Sequence, residues 1–267
     1  MDPVSAGLAR LFGAAPTGMR RLHGGDLSQV WTVRLADGRD VVAKDGPLVI
    51  REARMLEAMA AAGAPVPRVL AAEKTLLVLE HLPETRPSGA AWHALGAGLA
   101  RLHATTASDY GWPVDYAFGD VAIPNARRGD WVAFWAENRL LAGRAALPAG
   151  LVHRLEGLAR RLPELIPAAP PAALLHGDLW SGNALFTDGA AYLIDPACYH
   201  GDAEVDLAML ELFATPPEAF YAAYGWPQGD WATRRAVYQL WPALVHLRLF
   251  GPGYTGMVED RLARLGA

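Results

Sequence analysis

One stretch of this chain leaves little choice about what must surround it: Leu174-Leu175-His176-Gly177-Asp178-Leu179-Trp180-Ser181-Gly182-Asn183, followed by Ala191-Tyr192-Leu193-Ile194-Asp195-Pro196. An apolar run enters a glycine turn and a second apolar run ends on a carboxylate, which suits one loop and the strand returning from it. The pair of segments offers Asp178, then the amide of Asn183, then a second carboxylate, Asp195. That is the polar set of a phosphoryl-transfer site: the first Asp accepts the proton of the attacking hydroxyl, and Asn with the second Asp holds the magnesium that bridges nucleotide phosphates. Taken singly, His-Gly-Asp reads as a tight turn with a capping Asp, and Ile-Asp-Pro as a strand running into a turn. A turn needs glycine but has no use for Asp, Asn and Asp at all three positions, so the catalytic reading is preferred.

At 267 residues the chain is long enough for two lobes on a prior of about 150 residues per domain. Its 52% apolar content supports a real core, and 19% charged residues without a long like-charge block argue against disorder. The net charge of −4 gives no electrostatic reason to expect a nucleic-acid partner. Cys198 is the single cysteine, which excludes an internal disulfide and Cys-rich zinc sites and fits a reducing compartment. The start Met1-Asp2-Pro3-Val4 lacks the layout of a secretion signal, and no uncharged apolar stretch reaches the roughly 18 residues of a membrane span. The expectation is a soluble, cytoplasmic protein without a membrane partner. No His-Glu-x-x-His pair occurs, and His103 reads as packed rather than metal-binding.

The first eighty residues read as a small sheet with one helix. Residues 30–35 alternate, Asp37-Gly38 marks a hairpin turn, and residues 41–44 return as a strand. Residues 49–62 look helical, stopped by Gly63 and the prolines 65 and 67, and residues 75–80 form another strand. Pro83 and Pro87 break the pattern and set a lobe boundary, with residues 1–83 as a nucleotide-binding lobe and 84–267 as a catalytic and substrate-binding lobe. Beyond it helical spacing dominates, at 95–102, 131–141, 151–162, 205–213 and much of the C-terminal region. Residues 174–194 stand out as the one β-rich stretch, 163–173 read as an Ala/Pro connector, and no internal repeat is evident.

The first lobe carries a supporting set. With Glu52 at zero on a helical wheel of about 100° per residue, Leu56 lies near 40° and Met59 near 340°, so Glu52 falls inside the apolar arc. A carboxylate there needs a partner, and Lys44 on the preceding strand is the nearest cation. Kinase-type sites use such a pair to aim the ammonium at phosphates. Gly24 and Gly25, before the first long strand, would let backbone amides approach the nucleotide, although a Gly-Gly turn is common. Glu80, His81 and Leu82 end the strand at the lobe boundary, where their main-chain groups could pair with an adenine edge; a plain core strand with a polar end is the simpler reading.

With these residues in hand, the chain resembles the fructosamine kinases, the ketosamine-3-kinases related to aminoglycoside phosphotransferases. The likeness is carried by Gly24-Gly25-Asp26, Val42-Ala43-Lys44, Glu52, residues 77–83 and 95–103, Tyr110-Gly111-Trp112, Asp130-Trp131-Val132-Ala133-Phe134, residues 176–183, and residues 195–209 beginning Asp195-Pro196-Ala197. The resemblance implies an α+β, bilobal protein-kinase-like fold with a small β-rich N-terminal lobe and a larger helical one. It implies ATP and Mg2+ as cofactors and transfer of phosphate to the sugar 3-hydroxyl of fructosamines or ribulosamines, giving a product that breaks down and frees the amine. The partner would be a small-molecule ketosamine or a glycated amine or protein lysine. By the same resemblance Asp178 is the base, Asn183 and Asp195 are metal ligands, and Lys44 with Glu52 orients phosphates. Ile123-Pro124-Asn125 stands where a Gln-x-Asn segment is expected, and His200 where a Tyr is usual. Trp180, Glu204 and His200 are substrate-side candidates by position, while His176 and Asp206 read as structural support, Asp206 as a helix-start carboxylate bracing the catalytic loop. Pro196 is expected to hold Asp195 in extended backbone. The rivals are a kinase for another hydroxylated amine, such as an aminoglycoside or amino sugar, and a nucleotide-binding pseudokinase scaffold; the complete Lys44, Asp178, Asn183 and Asp195 set argues against the second.

Overall fold

A computed structural model describes residues 2–22 and 28–267. It opens on helix α1 (Pro3–Phe12), whose Asp2 cap accepts the Ser5 N–H at 3.0 Å and which stops at Gly13 in left-handed backbone. Strands β1 (Pro16–Arg21), β2 (Gln29–Leu35) and β3 (Asp40–Asp45) follow, then α2 (Val49–Ala61), β4 (Val69–Glu73) and β5 (Leu76–Glu80). They make one antiparallel sheet in the order β1-β2-β3-β5-β4. The alternation of side chains along a strand decides what each face does. Val41, Ala43, Leu76 and Val78 pack with Val4 and Leu8 of α1, whereas Val42, Leu77 and Leu79 pack with Met55, Leu56 and Met59 of α2. Lys44, two residues after Val42, therefore comes out on the α2 face.

The sequence reading found β2, β3, α2 and β5 within a residue or two of these bounds and expected one helix where there are two. It missed α1, β1 and β4: β1 is mostly exposed, so it shows no clean alternation, and α1 is a single short helix between prolines.

The larger part begins with α3 (Gly89–His103), β6 (Thr106–Ala107), the hairpin β7 (Tyr116–Phe118) and β8 (Val121–Ile123), and α4 (Trp131–Trp135). Helix α4 runs on as one π turn, Ala136–Leu140, which leaves Asn138, Arg139 and Leu140 all buried. Then come α5 (Ala149–Leu165), β9 (Ala172–Leu175), β10 (Ala184–Phe186), β11 (Ala191–Leu193), β12 (Tyr199–Gly201), α6 (Glu204–Leu210), α7 (Glu218–Tyr224), α8 (Trp231–Phe250) and α9 (Thr255–Arg264). The β-rich stretch is thus wider than expected, since β6 and β12 flank β9 in a small sheet and β7–β8 is separate. The expected connector at 163–173 shrinks from both ends: α5 carries Pro163 in its last turn, where the ring removes one hydrogen bond, and Ala172 already belongs to β9. Helix α6 stops at Leu210 rather than running to 213, leaving Phe213 on the surface. One apolar cluster joins the two parts, because Leu174, Leu179 and Cys198 pack in the same core as Met55, Leu56, Leu95 and Leu99. Among the described residues no helix is long and apolar enough to cross a membrane.

Candidate active site

The loop after β9 is held from below by a fully buried carboxylate. Asp206, in the first turn of α6, accepts the backbone N–H groups of His176 at 2.7 Å and Gly177 at 2.9 Å, and the Nε2 of His103 lies 3.1 Å away. Burial alone would raise its pKa, but the His103 hydrogen bond, the two histidines and the Gly177 amide outweigh it and hold the carboxyl below its usual value. His176 is buried with Nε2 donating to the Ile194 carbonyl at 2.8 Å, so its Nδ1 is the acceptor for the Asp178 N–H at 3.2 Å. Burial lowers its pKa and keeps the ring neutral in that tautomer. Gly177 has φ 80°, and a Cβ there would sit 2.1 Å from the Ala197 carbonyl oxygen; only glycine fits. His176 and Asp206, the two residues read as structural support, both lie against this loop.

The polar groups then converge. Asn183 Nδ2 donates to the Asp178 backbone oxygen at 2.7 Å and to its Oδ2 at 3.0 Å, fixing the carboxylate. Burial pushes the Asp178 carboxyl well above the usual carboxylate range; Asp195 and Asp206 add to this, against the Asn183 hydrogen bond. Lys44 Nζ bonds Glu52 Oε1 at 2.6 Å and Asp195 Oδ1 at 2.5 Å. Lys44 and Glu52 are buried, whereas the Asp195 side chain is 42% exposed. Burial works against the Lys44 charge, but its two carboxylate neighbours reverse the effect and raise its pKa. Glu52 is raised by burial, with the Lys44 charge opposing.

Asp195 departs from expectation. Its φ is 55°, in the left-handed region, not the extended conformation that a following proline favours. The chain is pinned on both sides, by Ile194 N–H to the Asn183 carbonyl at 3.0 Å and by Ala197 N–H to the His176 carbonyl at 2.8 Å. A sharp reversal must fit between them. Such backbone costs on the order of 1–3 kcal/mol, and Asp tolerates it better than most residues. The carboxylate is aimed into the site by this turn and by Lys44.

These oxygens suit a hard cation. Both Asn183 amide hydrogens face Asp178, so Oδ1 remains as an acceptor, and Asp195 keeps one oxygen free of Lys44. Among the described residues there is no cluster of three or more His, Cys, Asp or Glu side chains set for a metal. Magnesium in kinase-type sites takes one or two protein carboxylates and completes its shell with phosphates and water.

Lys44, Glu52, Asp178, Trp180, Asn183 and Asp195 line one cleft of about 670 Å³. Glu80 closes β5 with its carboxylate on Arg68, Nε to Oε2 at 2.8 Å, and His81 and Leu82 follow at the strand end; none of the three lines this cleft. Gly24 and Gly25 lie outside the described residues.

The model of the fructosamine kinase family matches residues 3–266, nearly the whole chain. The chain belongs to the fructosamine kinase family. A probable ketoamine kinase of Thermus thermophilus is 37% identical over 271 aligned positions, covering 96% of this chain and 97% of its own. The crystal structure of a Thermobifida fusca protein provisionally assigned as a fructosamine-3-kinase is similar with a TM-score of 0.89 and 32% identity, covering 100% of both chains. A structure of an aminoglycoside phosphotransferase holding AMP-PNP and hygromycin B shares the fold, at TM-score 0.67 and 15% identity over 99% of each chain. The bilobal protein-kinase-like α+β fold expected from the sequence is the one found.

Within this family frame, two substrate-side expectations need correction. Glu204 is taken by Arg234, which donates from Nε at 2.5 Å and Nη2 at 2.8 Å, and it does not line the cleft. His200 stacks on Trp112 at 5.6 Å and exchanges backbone hydrogen bonds with Gly111 at 2.9 Å, also off the cleft. Sequence position placed both near Asp195, but β12 pairs His200 with Leu174 of β9, and Glu204 opens α6 against Arg234 of α8. Asn125 is wholly buried and accepts from Arg139 Nη2 at 2.9 Å. Trp180 does line the cleft. What the sequence reading missed is the rest of the wall: Tyr116, Phe118 and Asp120 from the β7–β8 hairpin, Phe213 after α6, and His246, Phe250 and Tyr254. His246 and Phe250 stand four apart at the end of α8, and Tyr254 lies in the turn that follows it.

Proposed function

We propose that the protein is an ATP-dependent kinase that phosphorylates the sugar 3-hydroxyl of ketosamines, fructosamines or ribulosamines, on a small amine or a protein lysine. The reading is supported by one observation above others: Lys44, Glu52, Asp178, Asn183 and Asp195 come from distant parts of the chain to one cleft in a member of this family. Asp178 accepts the proton of the acceptor hydroxyl as its oxygen bonds to the γ-phosphorus of ATP and the bond to the ADP oxygen breaks. Asn183 holds the second carboxylate oxygen, which leaves the first for the hydroxyl. The raised pKa of Asp178 makes it a stronger base than a surface Asp. Lys44, steadied by Glu52, would meet the nucleotide phosphates, and at the strand end His81 and Leu82 are the main-chain candidates for the adenine, since the Glu80 N–H is taken by the Arg68 carbonyl at 3.0 Å. Asn183 Oδ1 and Asp195 would hold Mg2+, which would supply neutralisation of the phosphate charge. Residues 1–83 form the nucleotide lobe and 84–267 the acceptor lobe.

The test is a screen with Mg-ATP across ribulose- and fructose-derived ketosamines beside aminoglycosides, read by product mass. Phosphorylated ketosamine is the expected product. Turnover of aminoglycosides alone, or nucleotide binding without any turnover, would overturn the reading.

A further inference from the structure

The cleft wall next to Asp178 is aromatic and unusually open. Trp180 meets Phe213 edge-on at 6.1 Å, Phe213 meets His246 at 5.5 Å, and His246 lies 5.6 Å from Phe250 and 5.1 Å from Tyr254. Trp180, Phe213 and Phe250 remain 39%, 50% and 49% exposed. A contiguous exposed apolar patch of this kind marks a binding surface rather than a packing accident. The His246 ring is fixed, since Nδ1 donates to the Pro242 carbonyl at 2.7 Å, so Nε2 is left as an acceptor.

The tip of the β7–β8 hairpin lines the same cleft with Phe118, Gly119 and Asp120. Asp120 is exposed, and its carboxylate makes no hydrogen bond or ion pair with another described residue. The hairpin that presents it is firmly rooted. Arg51 of α2 donates to the Asp115 carbonyl at 2.5 Å, Asp115 Oδ1 accepts the Asn125 N–H at 2.7 Å, and Arg139 donates to the Pro124 carbonyl at 2.8 Å. Arg139 is itself buried among the rings of Phe134, Tyr199 and Trp241. Among the described residues Lys44 is the one Lys or Arg lining this cleft, and Glu52 and Asp195 already engage it. Among the described residues Asp120 therefore has no Lys or Arg to answer it there, and a ligand carboxylate would have none either.

Resting on the ketosamine reading above, we propose that Asp120 binds the ammonium joining sugar to carrier, and that Trp180, Phe213 and Phe250 receive an apolar carrier chain. The preferred acceptors are then ketosamines of alkyl and aralkyl amines. The linking nitrogen of a ketosamine is a protonated secondary amine, which both a carboxylate and aromatic faces attract. An amino acid glycated on its α-nitrogen sets a carboxylate next to that nitrogen and against Asp120, with nothing to offset the repulsion.

The experiment compares two ketosamines of the same sugar, one made with benzylamine and one with glycine. Wild-type kcat/KM is expected to favour the benzylamine adduct by about tenfold or more, and Asp120→Asn to raise its KM by about tenfold with kcat within about twofold. Asp120→Lys should turn the preference towards the glycine adduct. Thermal melting of each variant checks that the exposed hairpin tip has been changed without loss of fold. Equal kcat/KM for the two adducts in the wild type, or an unchanged ratio in Asp120→Asn, would overturn the inference while leaving the ketosamine reading intact. Phosphorylation of neither adduct would remove that reading, and this inference with it.

Discussion

Two aspartates show how the same side chain is pushed in opposite directions by its surroundings. Asp178 is partly open to the cleft, its pKa raised by burial and by its carboxylate neighbours, and in the proposed function it accepts one proton. Asp178→Asn is expected to lower kcat by about 10²–10⁴-fold with ATP affinity little changed, since positioned bases contribute that much. Steady-state kinetics beside nucleotide titration checks this; more than about a tenth of wild-type kcat would contradict it. The acid limb of the wild-type kcat/KM profile should accordingly lie above the ordinary Asp value of about 4. Asp206 is the reverse case: its folded pKa lies below the ordinary Asp value because its hydrogen bonds favour the charged form. Its contribution is thus complete above the unfolded value and is lost as pH falls through the folded one. Asp206→Ala strands two backbone N–H groups and is expected to cost about 3–5 kcal/mol near neutral pH. Urea midpoints should show that deficit shrinking below about pH 4; a deficit constant down to about pH 2 would refute the account.

At the scale of elements, β3 and α2 act as one device. Period-two alternation puts Val42 and Lys44 on the face that α2 covers, and the helical arc that buries Leu56 and Met59 brings Glu52 to the same place. Neither charge is tolerable there alone. Lys44→Ala and Glu52→Ala should each lower kcat/KM, and the double variant should be little worse than the worse single one, as coupled groups behave. Multiplicative losses would show independent action. The same helix also reaches the metal-side segment, through the Cys198 N–H on Met55 Sδ at 3.3 Å. Asp195 is therefore locked between α2, Lys44 and the catalytic loop. A metal ligand that rotates out of the site has to break all three.

For the molecule as a whole, the cluster shared by the sheet side and the helical side is the consequential feature. Leu174, Leu179, Leu193 and Cys198, which flank the catalytic groups, are buried against α2 and α3. Unfolding one side exposes apolar surface on the other, so the two parts should melt together. Eight of the nine tryptophans follow residue 91, so tryptophan fluorescence weights the helical part while far-UV circular dichroism reports both. Coincident thermal transitions by the two probes are expected; an earlier transition seen by circular dichroism alone would show that the lobes unfold separately.

The polar residues that meet in the cleft were legible in the sequence because local order fixes them. Asp178 and Asn183 share one loop, the apolar runs on either side declare its strands, and Glu52 betrays its partner by standing in an apolar arc. Periodicity likewise marked α2, β2, β3 and β5, where one face is buried and the other is not. Exposed β1 carried no such pattern, whereas α1 did, with Val4, Leu8 and Leu11 on one face, and the reading passed over it. Tertiary structure alone decided the rest. The left-handed turn at Asp195 overrode the local preference set by Pro196, because hydrogen bonds from the Ile194 and Ala197 N–H groups to the Asn183 and His176 carbonyls pinned both sides of it. Glu204 and His200, close to the metal ligand along the chain, were carried off by α6 and β12 into pairings with Arg234 and Trp112. The acceptor wall was assembled from a hairpin, a helix end and a turn separated by up to 138 positions, from Tyr116 to Tyr254. Local sequence sets which backbone and which face a segment prefers; which segments meet across a cleft depends on packing between elements, and no short-range pattern encodes that.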